Sequence, residues 1–345
     1  MAMSSRDNLV AALEGKHPGR IPYSIYDEDF IHADPVWQAL LDQGLCRVAW
    51  VSTFRRETPN VERVELPDSW RDGPAMRVVL RTPVGEITQL VARGWTQEYV
   101  LKNPQDYRVM EYVARDTRLI PDASAFGRAE SRVGDQGITL VDAMRSPMQQ
   151  ILVDFAGLET FSFHLAEELP ELHALAEALT DQLIEASRII ARGPGRFIDM
   201  LENLTAESWG PERFRRHHLP VYARVFDILH AGGKKVVAHF DGKLACLADL
   251  VAGTSLDGIE SLTSPPEGDM TYDRARAVFR EKFIWGNLNV SLYDLPPHAL
   301  RARVQELARL AAPDGRLFAF EISEDLPRNW KETIPMVLET LERGV

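Results

Sequence analysis

His239 carries the sharpest chemical signal in the chain. It closes an apolar run, Val236-Val237-Ala238-His239, and a carboxylate follows at Asp241. An imidazole in that place can ligate a metal, move a proton near neutral pH or donate to an anion. The plain alternative is a half-buried histidine paired with Asp241. Glu260 in DGIESL and Glu321 in RLFAFEIS stand among apolar neighbours. A carboxylate so placed must be paired or neutralised, so each is either the ion-pair partner of an arginine or part of a site. Asn203 and Asn287 lie at the ends of RFIDMLEN and KFIWGNL, where an amide binds substrate or caps a loop. Strand alternation turns Glu202 away from Asn203. Tyr26 and Asp27 end RIPYSIYD, and Asp142 ends GITLVD. Trp50 and Trp285 can wall a pocket for a flat substrate or pack in the core.

These residues need a scaffold that brings strand ends together. RIPYSIY, CRVAWV, GITLVDAM, RFIDMLEN, KKVVAHF, DGIESL, KFIWGNL and RLFAFEIS read as strands. From about residue 137 strand and helix alternate, which requires parallel strands joined by crossover helices. Eight strands favour a (β/α)8 barrel spanning 1–345 as a single domain, with an open doubly wound sheet as the alternative. No GxGxxG follows a strand, so a dinucleotide fold has no motif support. In a barrel, the strand ends listed above form one catalytic rim. Residues 4–15 read as an opening helix, capped by Ser4 or Ser5 and ended by Gly15. Residues 61–92 instead alternate with period two between Pro and Gly breaks, the pattern of an antiparallel insertion; we expect a flap over the barrel mouth or a dimer face.

The formal charge of −12 argues against nucleic acid or an anionic membrane as the main partner. Only Cys46 and Cys246 occur, which suits a reducing cytoplasm and gives no structural zinc motif. No leader and no membrane span is read from the apolar runs. His217-His218 are expected on a solvated basic helix face, Cys246 buried and inert on the helix after the His239 loop, and Met144, Met148 and Met200 in the core.

Three stretches carry a family likeness: SSRDNLVAALEGKHPGRIPYS, WGPERFRRHHLPVYARVFDILHAGGKKVVAHFDG and FIWGNLNVSLYDLPPHALRARVQELARLA. Their order and spacing resemble the uroporphyrinogen decarboxylase superfamily over nearly the whole chain. The resemblance implies a (β/α)8 barrel and one of two chemistries. One is metal-free decarboxylation of porphyrinogen acetates. The other is methyl transfer with zinc, a thiol acceptor and a corrinoid protein. It also implies a homodimer acting on a small molecule. The decarboxylases' arginine-bearing segment is replaced by YSIYDEDFIHADP, with the acids Asp27, Glu28, Asp29 and Asp34, which would repel a polyanion. The methyltransferases' His-x-Cys reads His239-Phe240-Asp241, and EISEDLP stands where a second Cys is expected. The resemblance thus implies a zinc held by His239, Asp241 and Glu321, with His239, Asp241 and Glu260 catalytic and Tyr26, Asn203, Trp285 and Asn287 on the substrate. Oxygen ligands would make such a zinc a stronger Lewis acid, suited to an ether, alcohol or amine donor.

Overall fold

The computed structural model describes residues 3–28, 34–322 and 326–342. Asp29, Ser323, Glu324 and Asp325 lie outside these. Two compact units are present. One comprises Met1–Thr53, Ala123–Ala143 and Ile190–Val345, and the other Phe54–Asp122 and Met144–Ile189.

The first unit holds a closed barrel of parallel strands: β1 (Tyr23–Tyr26), β2 (Cys46–Val51), β3 (Gly137–Asp142), β4 (Phe197–Met200), β5 (Lys235–His239), β6 (Gly258–Thr263), β7 (Phe283–Leu288) and β8 (Phe318–Ile322). β1 pairs with β8 and with β2, and the remaining strands follow in sequence order round the ring. The (β/α)8 expectation holds. Inward side chains form an apolar layer: Cys46, Val48, Ile138, Leu140, Phe197, Val237, Phe283, Trp285 and Ala319. The opening helix Ser5–Leu13 adds Leu9, Ala12 and Leu13 to that cluster. Ser4 caps the helix by accepting from the Asp7 amide, while the Asp7 carboxylate accepts from the Ser4 amide.

Two buried lysines and a half-buried arginine fasten the strand starts. Lys282 Nζ donates to the carbonyls of Thr254 and Leu256 at 2.7 and 2.6 Å, and Lys234 Nζ to those of Gly193 and Gly195. Arg276 donates to the carbonyls of Ala311, Phe279, Lys282 and Leu317. Lys282→Met keeps the aliphatic stem but strands two carbonyls. We expect a loss of about 2–4 kcal/mol in urea unfolding; a loss below about 1 kcal/mol would mean that water replaces the ammonium.

The second unit contains a four-stranded antiparallel sheet, Glu62–Trp70, Gly73–Thr82, Gly85–Ala92 and Trp95–Glu98, so the insertion read over 61–92 runs one strand further. Phe54–Glu57 pairs antiparallel with Arg118–Pro121, a sheet not foreseen from sequence. The helical segment after β3 is interrupted: a π-turn spans Ile151–Ala156, and Gly157 adopts φ +70° before the helix resumes. No helix among the described residues is long and apolar enough to cross a membrane.

Candidate active site

Strand alternation builds the site. Above the apolar layer, the next inward position of each strand turns polar or amphipathic. Trp50 follows Val48, Asp142 follows Leu140, Asp199 follows Phe197, His239 follows Val237, Asn287 follows Trp285 and Glu321 follows Ala319. Glu260 lies in register with His239, and Tyr26 completes the ring from β1. Each strand contributes one member, at the C-terminal end of the barrel.

His239 is buried, and its Nδ1 lies 2.5 Å from Glu260 Oε2. Glu260 Oε1 accepts from the Tyr26 hydroxyl at 3.1 Å. His239 Nε2 faces Asp241 Oδ2 at 3.6 Å, and Asn203 Nδ2 donates to the same oxygen at 3.3 Å. Trp50 Nε1 donates to Asp199 Oδ2 at 2.8 Å. Local backbone makes this possible. The β6–β7 register shifts between Ile259 and Leu262, and Ser261 takes φ +60°, a conformation costly for a residue with a Cβ. This bulge sits directly after Glu260. Asn203 also lies in the left-handed region, at φ +47°. A Cβ on Gly242 would fall 2.5 Å from Thr205 Cβ, so glycine lets the Asp241 loop lie against the segment after Asn203.

The ring's carboxyls differ in charge. Burial, then the neighbouring Glu260 charge, pushes Asp199 well above the usual carboxylate range; His239 and the Trp50 hydrogen bond oppose this without prevailing. Burial, the Glu260 charge and a hydrogen bond to Glu260 do the same to Glu321. Asp241 goes the other way. Burial would raise it, but the hydrogen bond and charge of His239 and the amide of Asn203 hold it below its ordinary value. A buried imidazole thus stands against one glutamate flanked by two carboxyls that burial and the Glu260 charge make weaker acids, with a stronger acid, Asp241, on its open side. Such a set can hold a proton, release it to a bound group and take it back.

The structure gathers His239, Asp241, Glu260, Glu321, Tyr26, Asn203 and Asn287 in or beside the ring. Trp285 is placed elsewhere: it is fully buried in the apolar layer, with Nε1 donating to Ser24 Oγ at 2.8 Å. No arginine ion pair to Glu260 or Glu321 is found among the described residues, against that alternative. Asp199 was missed. Its signal was present in Phe197-Ile198-Asp199-Met200, where the aspartate falls on the inward phase three residues before the polar end Glu202-Asn203. Three surface readings are corrected. Asp27 does not offer a bare charge, since Arg132 and Arg47 lie 2.7 and 3.7 Å from its carboxylate. His218 is fully buried among Trp209, Phe214 and Tyr222, because the helix breaks beside it before Pro220. Cys246 is exposed, because the helix after the His239 loop begins only at Ala248.

Comparison with known proteins fixes the lineage. The model of the uroporphyrinogen decarboxylase family matches residues 128–329, most of the barrel. The chain belongs to the uroporphyrinogen decarboxylase family. No curated protein sequence matches it. Among solved structures, a methyltransferase from Methanosarcina mazei shares the fold with a TM-score of 0.60 at 11% identity, covering 99% of each chain. A D-psicose 3-epimerase from Clostridium cellulolyticum H10 aligns at a TM-score of 0.38 and 8% identity, over 93% of this chain and 96% of its own.

The family's methyltransferase branch implies zinc, for which His239, Asp241 and Glu321 would be the donors. Glu260 engages Nδ1 of His239, which turns Nε2 toward Asp241 Oδ2, 3.6 Å away. No group of three or more His, Cys, Asp or Glu side chains among the described residues is placed to hold a metal ion. As placed, His239, Asp241 and Glu321 do not form a ready three-ligand zinc set.

Proposed function

We propose that this member of the uroporphyrinogen decarboxylase family is an acid–base enzyme that transfers a methyl group from a small methylated substrate. The observation that carries the reading is the His239–Glu260 pair at 2.5 Å, set in a ring that contains no lysine or arginine. Glu260 accepts the Nδ1 proton, which fixes the ring's orientation and directs Nε2 toward the mouth. The bond between methyl and heteroatom breaks, the methyl passes to an acceptor, and the departing heteroatom takes its proton from His239 Nε2. Asp241, ionised and 3.6 Å from that nitrogen, stabilises the imidazolium beforehand. A corrinoid on a partner protein would serve as methyl acceptor, as the methyltransferase branch implies. The fold shared with the Methanosarcina mazei methyltransferase supports this choice of branch.

A second reading, metal-free decarboxylation, has its own support. Asp199 and Glu321, favoured as neutral acids beside His239, are protons within reach of a carbanion. Two incubations separate the readings. Isotopically methyl-labelled amines, ethers and sulfides are offered with reduced cobalamin as free acceptor, and uroporphyrinogen is offered anaerobically. We expect labelled methylcobalamin from at least one donor, no carbon dioxide from uroporphyrinogen, and loss of about 10²–10⁴-fold in rate for His239→Asn. Carbon dioxide release at an enzymatic rate, without methyl transfer, would return the chain to the decarboxylase branch.

A further inference from the structure

The ring has a character that proton transfer does not use. Tyr26 and Trp50 meet edge to face, with ring centroids 4.0 Å apart, and both are half-buried. Each aromatic is tied to a buried carboxyl: Tyr26 donates to Glu260 and Trp50 to Asp199. Asp199 is fully buried on the inward phase of β4, and its Oδ1 has no hydrogen-bond partner among the described residues. Asp241 adds negative charge from the open side, with a third of its side chain exposed. Aromatic faces backed by carboxyls, with no competing lysine or arginine in the ring, attract a diffuse positive charge. Nearby carboxylates strengthen the pull of the ring quadrupole.

We propose that the barrel mouth binds a small organic cation bearing methyl groups on nitrogen, a methylated ammonium whose departing amine is basic enough to take the His239 proton, against Tyr26 and Trp50. This rests on the methyl-transfer reading for its site and deepens it by naming the substrate class. The methyl groups cover the aromatic surfaces, and the spread charge faces Glu260 and Asp241. A carboxylate of the same size meets the like charge of those two residues. A neutral molecule of the same shape keeps the apolar contacts and loses the electrostatic ones.

Titration calorimetry at low salt decides it, with tetramethylammonium and trimethylsulfonium as probes, tert-butanol as neutral isostere and acetate as anion. The cations are expected to bind at least about tenfold more tightly than tert-butanol, and acetate not measurably. Trp50→Leu and Asp241→Asn should each weaken the cations about tenfold while leaving the circular dichroism spectrum and melting cooperativity intact. Equal affinity for tetramethylammonium and tert-butanol in the unmodified protein overturns the proposal without recourse to any variant. So do variants that fold and bind the cations as before. Cation binding with no methyl transfer from any donor sinks the methyl-transfer reading alone; turnover of a neutral donor with no cation binding sinks this one alone.

Discussion

Glu260→Gln should lower the rate by about 10²–10⁴-fold and yet make the protein more stable at alkaline pH. The glutamine oxygen can still accept from His239 Nδ1 while its amide N–H donates to the Tyr26 hydroxyl oxygen, so the geometry survives. What disappears is the charge that orients and stabilises the imidazolium. That same charge is a cause of the raised pKa of Asp199 and of Glu321. Carboxyls whose folded pKa is raised give their full stabilisation only below the ordinary carboxyl range, near about 4. As pH climbs from there toward the folded values, the unfolded chain releases protons that the folded one keeps, and stability drains away. A neutral residue at 260 lowers both folded values and shrinks the drain. Urea unfolding at about pH 5 and about pH 8 should show the variant gaining about 1–2 kcal/mol on the unmodified protein over that interval. A variant that is inactive and also less stable at the higher pH would make Glu260 a packing residue of the bulge instead.

On the acid side, His218 governs a second large effect. Its ring lies edge-on to Trp209 at 4.2 Å and stacks on Phe214 at 5.1 Å. Burial, with a smaller contribution from His217, pushes its pKa down to about 3. The folded protein therefore keeps it neutral, while the unfolded chain protonates it below about 6.5. Its share of stability is complete above that value and is lost as pH falls toward the folded pKa, at about 1.4 kcal/mol per pH unit. Between about pH 7 and about pH 4 the unmodified protein should lose about 3 kcal/mol more than His218→Phe, in which an apolar ring fills the same aromatic nest. Parallel stability profiles for the two proteins would show that His218 is reached by solvent protons in the folded state.

How much of this was visible in the residues depends on how local each signal is. The barrel was legible because each strand is short, apolar and followed by a helix, so RIPYSIY through RLFAFEIS could be counted. His239, Glu260 and Glu321 stood out because an ionisable residue inside an apolar run is conspicuous wherever its partners lie. Asp199 escaped because Glu202 and Asn203 mark a later polar boundary, whereas β4 ends at Met200. The partners of Asp27 were out of reach: Arg132 is remote in sequence and joins Asp27 only once the ring closes. His218 misled for a related reason. A helical wheel drawn through RFRRHHLPVY assumes one continuous helix, but the segment is two helices that meet beside that histidine.

The fastenings at the other end of the barrel bear on how such a chain can change over generations. Lys234, Arg276 and Lys282 bind backbone carbonyls, which every residue type supplies, and they do so at the strand starts, away from the ring. Substitutions at the strand ends therefore leave these anchors untouched. Ring positions that hold mutually repelling acids cost stability rather than supply it. A lineage built this way can exchange His, Asp, Glu or Cys at the strand ends with little structural penalty, so its catalytic rim is the easiest part of the molecule to rewrite.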